Sequence, residues 1–156
     1  MTTTDEYMEL VPKVLVDFQW LEEGIKFYVV RAELAIASHV EEVFRYSPTI
    51  LHKLERMTLG QLVEYFACHN ANDELIRRLR CVVKDRNHVA HGGYLLYVDD
   101  TGAVADIAGR LARLKVVYAE VHALLPLMFA EIQGISARLG ASIHGLPIPQ
   151  QILSQP

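Results

Sequence analysis

Val14-Leu15-Val16-Asp17-Phe18-Gln19-Trp20-Leu21-Glu22-Glu23-Gly24-Ile25 decides the fold. Val14, Leu15, Phe18, Leu21 and Ile25, followed by Val29, Ile36, Val40 and Val43, recur at helical spacing, so one apolar face is predicted as far as about Tyr46. Upstream, Thr4 before Asp5 and Glu6 reads as an N-cap whose first-turn acids suit the helix dipole. Gly24 is read as a bend or a break into two helices. Downstream, Ser47-Pro48 ends the pattern, because a residue before proline avoids the helical region. Thr58 then caps a helix through Cys68 whose apolar face is Leu59, Leu62, Val63 and Phe66. Asn72, with Asp73 and Glu74, opens another helix that runs to about His91 and is stopped by Gly92-Gly93. Tyr94–Val98 and Ala103–Ala105 around Asp99-Asp100-Thr101-Gly102 read as a small β-hairpin. A last helix is expected from about Asp106 to Leu139, kinked at Pro126 or short of one backbone bond there. The fold class predicted is all-α: an antiparallel bundle of four to five helices, with the hairpin before the last helix. One domain is expected over 1–140, and an extended or mobile tail over 141–156 that carries Pro147, Pro149 and Pro156.

Composition sets the functional frame. At 156 residues, 51% hydrophobic and 22% charged, the chain can bury a real core and is unlike a disordered protein. A formal charge of -4 argues against a protein that coats nucleic acid generally, and leaves room for a local basic patch. Cys68 and Cys81 have no metal-ligand spacing and read as free thiols in a reducing compartment. Residues 1–10 are acidic and lack an apolar signal core; the apolar run Val121–Ala130 contains His122 and Pro126 and is too short to span a bilayer. A cytoplasmic location without membrane attachment is expected. Nothing in the sequence points to a cofactor or to a metal site.

The chemistry concentrates in Arg86-Asn87-His88-Val89-Ala90-His91, followed by Gly92-Gly93-Tyr94. Arginine holds phosphate through a planar fork of donors, histidine gives or takes a proton near neutral pH, and an amide fixes orientation. On a helical wheel Arg77, Arg80, Lys84, His88 and His91 share one side with Asn87 beside them, while Leu75, Leu79, Val82, Val83, Val89 and Ala90 share the other. The basic stripe is read either as a track for a phosphate backbone or as the solvated face of an amphipathic helix. Arg86 falls within the apolar side, about 140° from His91. A carboxylate from another helix is expected to hold it, with Glu33 and Glu22 as candidates; alternatively it faces a cleft at a subunit interface. The Gly-Gly stop is read as able to unwind the last turn and re-aim His91.

The Arg86-Asn87-x-x-x-His91 pattern, late in a helical chain, resembles the HEPN domains (higher eukaryotes and prokaryotes nucleotide-binding), in the four-residue form of their Arg-to-His motif. The architecture over residues 5 to 139 is similar as well. The resemblance implies a dimer with two motifs facing one cleft, acting as a metal-independent endoribonuclease in a toxin–antitoxin or other defence system. Arg86, Asn87 and His91 would be catalytic, and Arg77, Arg80, Lys84 and His88 RNA-binding. Some relatives carry a tyrosine, two residues past the motif histidine, that a nucleotidyltransferase antitoxin adenylylates. Tyr94, three residues past His91, is the corresponding candidate here. Other relatives have lost catalysis and bind nucleotide, RNA or protein, which is the alternative expectation. A third is a purely structural motif, with Arg86 locked to Glu33 or Glu22.

Overall fold

Helix α1 runs unbroken from Thr3 to Val40. In this computed structural model, which describes residues 2–40, 52–93 and 106–139, it is followed by a 3-10 turn over Leu54–Arg56, α2 over Leu59–Ala67, α3 over Asp73–Gly92 and α4 over Ile107–Arg138. The fold is all-α. The expected hairpin, the C-terminal tail and the Ser47-Pro48 stop lie outside the described residues.

Local chemistry explains where these helices begin. At α2 the Thr58 hydroxyl accepts from the Gln61 backbone N–H, and the Gln61 side chain accepts from the Thr58 N–H, a reciprocal capping box. Asn72 accepts from Leu75 N–H at 3.1 Å to open α3, and Asp106 accepts from Gly109 N–H at 3.0 Å to open α4. At α1 the cap is Thr2 rather than the expected Thr4. Its hydroxyl accepts from Asp5 N–H at 3.2 Å, while the Asp5 carboxylate accepts from Thr2 N–H at 2.8 Å. Asp5 therefore belongs to the cap itself, and the helix starts two residues earlier.

Tyr7, Val11, Val14, Phe18, Leu21, Ile25, Tyr28 and Val29 line the buried side of α1 and share one core with residues from the other three helices. The apolar stripe stops short of the sequence expectation: Ile36 is 40% exposed. Contacts along the axes give the directions. Residues of α1 and α4 meet in rising order, Glu6 with Lys115, Asp17 with His122 and Gly24 beside Met128, so these two helices run parallel. α3 runs against both, with Arg86 on Glu22 and Gly93 beside Val11, and with Arg78 on Glu120 and Asp85 on Arg113. Neighbouring α3 and α4 are thus antiparallel, whereas α1 and α4 are not. By length and composition α4 is apolar enough to cross a membrane. Its Leu111, Leu114, Val121, Leu124 and Met128 are buried in the shared core.

Gly24 does not bend or break α1. A Cβ there would sit 2.9 Å from Met128 Cγ, so the glycine lets α4 pack close. Pro126 lies within α4, where it forgoes one intrahelical hydrogen bond. Gly24→Ala should be near neutral, since better helix propensity offsets the push on a flexible methionine. Gly24→Leu should cost about 1–3 kcal/mol through overpacking, read by urea unfolding of the two variants.

Candidate functional site at the end of α3

The motif lies in the last two turns of α3. The helix continues through His91 to Gly92, and Gly93, at φ -58°, still bonds its N–H to Val89 O at 2.9 Å. The glycine pair therefore does not unwind the last turn, and His91 keeps its helical phase relative to Arg86. Gly93 is needed for space rather than for a left-handed turn: a Cβ would collide with the Val89 carbonyl and press on Val11. Leu75, Ile76, Leu79, Val82 and Val89 are buried. Asn87, His88 and His91 stand exposed on the outer side, as does Ala90, which the wheel had put on the apolar side.

Arg86 sits at the edge of the α1–α3 contact. Its Nε donates to Glu22 Oε1 at 3.1 Å, with the arginine side chain 35% exposed and the glutamate 19%. Of the two carboxylates expected from sequence, Glu22 is the partner and Glu33 is not. The physical reason is direction. α3 descends along α1, so its C-terminal residues lie level with the first half of α1, and Glu33 lies level with the end of α2. There Glu33 accepts from the Tyr65 hydroxyl at 2.9 Å and stands 3.2 Å from His69 Nε2. His69 Nδ1 lies 2.9 Å from Tyr65 O, and the Tyr28 hydroxyl donates to His69 O. This buried polar cluster, with Glu33 only 2% exposed, had no sequence signal beyond an acid in an apolar stripe.

The basic stripe is largely paired. Arg77 grips Glu74 through two bonds of 2.9 and 2.7 Å, and Arg80 grips Glu64 of α2 through two of 2.8 and 2.7 Å. Lys84, His88 and His91 are exposed. Tyr94 lies outside the described residues. No group of three or more His, Cys, Asp and Glu suited to a metal occurs among the described residues. Cys68 and Cys81 are exposed free thiols.

Sequence reasoning missed a second feature beside the motif. The end of α3 and the starts of α1 and α4 border a half-open cavity of about 400 Å³, whose wall includes His88, Arg110, Arg113, Asp85 and Tyr7. Burial pushes the Tyr7 phenol above its ordinary range, and the adjoining Arg110 guanidinium offsets part of that rise. Arg110 and Arg113, three residues apart on α4, carried no motif of their own and meet His88 only through the fold.

Comparison of the chain with protein-family models, with characterised proteins and with solved structures gives no match.

Two stability predictions follow from these pairs. Because Arg86 is about a third exposed, Arg86→Ala should cost only about 1 kcal/mol, far below the penalty for stranding a buried ion. Glu33→Ala should cost more, about 2–4 kcal/mol, because it leaves the Tyr65 hydroxyl and His69 without their acceptor in the core. Urea denaturation of both variants gives the comparison. Acid should also weaken the fold. The hydrogen bond from Arg78 holds the Glu120 carboxyl below its ordinary 4.5. A carboxyl depressed in the folded state contributes stability above its unfolded value and loses it as pH falls through the folded one. Glu64 and Glu74 shift the same way under Arg80 and Arg77. The melting temperature should therefore fall between about pH 5 and pH 3, and Arg78→Met should flatten part of that fall.

Proposed function

We propose that this chain is a HEPN-type, metal-independent endoribonuclease acting as a homodimer. The observation that carries the reading is the unbroken helical phase of α3. Asn87 and His91 face solvent at the helix end, while the Arg86 guanidinium, still accessible, turns about 140° away toward α1. The two groups of one chain point apart around the helix, and in the proposed homodimer a shared cleft draws Arg86 from one copy and His91 from the other; the same separation is what the non-catalytic alternative predicts.

In that cleft the chemistry is internal transesterification. His91 takes the proton from an RNA 2′-hydroxyl, whose oxygen attacks the adjacent phosphorus. The bond to the 5′-oxygen breaks, and that leaving oxygen takes its proton from solvent water. The products are a 2′,3′-cyclic phosphate and a 5′-hydroxyl. Arg86 balances the charge that builds on the phosphate, and Glu22 restrains its fork. Asn87, one turn before His91, orients the imidazole or the strand. Lys84 and His88 extend the contact along the backbone. Cytoplasmic action as a toxin or defence effector, with Tyr94 as the target of a nucleotidyltransferase antitoxin, completes the proposal.

A second reading, a non-catalytic module that binds nucleotide, RNA or protein, draws on a specific observation. Arg77 and Arg80 are already charge-paired, which leaves less free positive charge for a phosphate track than the stripe suggested. Incubation of a labelled structured RNA in EDTA separates the two readings. The enzyme should cleave to a cyclic phosphate, and His91→Ala, folded by circular dichroism, should lower the rate by about 10²-fold or more. No cleavage by wild type across a panel of RNAs, at concentrations where the chain is dimeric, would favour the binding module.

A further inference from the structure

We infer that the cavity between α3, α4 and the start of α1 is a binding site for a phosphomonoester with a ring-sized apolar body. The inference does not depend on the ribonuclease reading, because it rests on Arg110, Arg113 and an apolar wall, shares only His88 with that reading, and is measured by binding alone. A volume of about 400 Å³ is in the range that holds a small ligand. One side of the wall is apolar, formed by Val89, Leu114 and Val117, all of them buried. Arg110 and Arg113 lie one turn apart on the same face of α4, and His88 stands across from them on α3. Planar guanidinium forks set one turn apart suit the three oxygens of a terminal phosphate better than a single carboxylate.

The state of these groups supports an exchangeable anion. Arg113 reaches Asp85 at only 3.5 Å and remains 62% exposed, so that pair is loose and costs little to open. Arg110 lies against the Tyr7 phenol, which places a second donor on the same wall. The Asp106 carboxylate is turned to the Gly109 N–H as the α4 cap. A Cβ on Gly109 would collide with that carboxylate, so the glycine keeps the cap folded back against the helix. An arriving phosphate has to displace Asp85 from Arg113. The ring of the ligand then lies against Val89, Leu114 and Val117. The phosphate belongs either to a free small molecule or to the 3′ end of an RNA strand.

Titration of the full chain with phenyl phosphate, followed by amide chemical shifts, tests the site. Saturable shifts should centre on Val89, Gly109 and Leu114, and inorganic phosphate should bind at least about tenfold more weakly because it leaves the apolar wall empty. Arg113→Ala should weaken phenyl phosphate about tenfold or more, whereas Asp85→Asn, which removes the competing acid, should tighten it several-fold. A gain of binding in Asp85→Asn is an outcome that a merely structural salt bridge does not produce. An oligoribonucleotide ending in a 3′-phosphate that binds more tightly than phenyl phosphate assigns the site to a strand end; weaker binding assigns it to a free ligand. Absence of saturable shifts with phenyl phosphate, equal affinity for inorganic phosphate, or indifference to both variants overturns the inference.

Discussion

The packing of α1 against each of the other described helices is the constraint on which the rest of this structure depends. One side of a 38-residue helix supplies Val11, Val14, Phe18, Leu21, Ile25 and Val29 to a common core. Its flanks then fix the neighbours by specific means. Gly24 admits Met128 so that α4 lies close and parallel. Glu22 holds Arg86 so that α3 descends in one register. Glu33 gathers Tyr65 and His69, which ties the end of α2 to the far half of α1. Burial supplies most of the stabilisation, and these few polar contacts select which of several apolar registers is occupied.

The proposed function depends on that register. A helix that frayed at the Gly92-Gly93 pair would allow His91 to swing toward Arg86. Instead the backbone bond from Gly93 to Val89 carries the helical phase past the histidine. The motif therefore presents an imidazole and an amide to solvent and an arginine to the α1 edge. In the proposed mechanism, a second copy brings all three to one phosphate. The two outcomes for the arginine weighed from sequence, a carboxylate partner and an interface, are compatible: Glu22 restrains a guanidinium that is still about a third exposed.

Much of the fold was legible because its signals are local. Thr58 caps α2 as read, and Asn72 and Asp106, read as the starts of the next helices, prove to be the caps of α3 and α4. Apart from the α1 cap, where Asp5 locally joins Thr2, the misreadings share one origin in tertiary geometry. Gly24 looked like a breaker because nothing in sequence reveals the approach of Met128. Glu33 and Glu22 looked equivalent because helix direction was unknown, and direction alone separates them. The stripe of Arg77 and Arg80 looked free because Glu64 comes from another helix, while Glu74, one turn earlier, was read only as a first-turn acid. The cavity beside His88 was invisible because Tyr7, Asp85, Arg110 and Arg113 come from three helices that meet only in the fold.

The central claim is a composite cleft in which Arg86 and His91 come from different copies, and mixing two inactive variants tests it most directly. Arg86→Ala and His91→Ala chains, each purified, are combined under conditions that exchange subunits, and RNA cleavage in EDTA is followed. A heterodimer holds one site with both groups intact, so the account predicts that activity returns on mixing to a substantial fraction of wild type. Activity that stays at the level of the separate variants, with heterodimer formation verified, would contradict it.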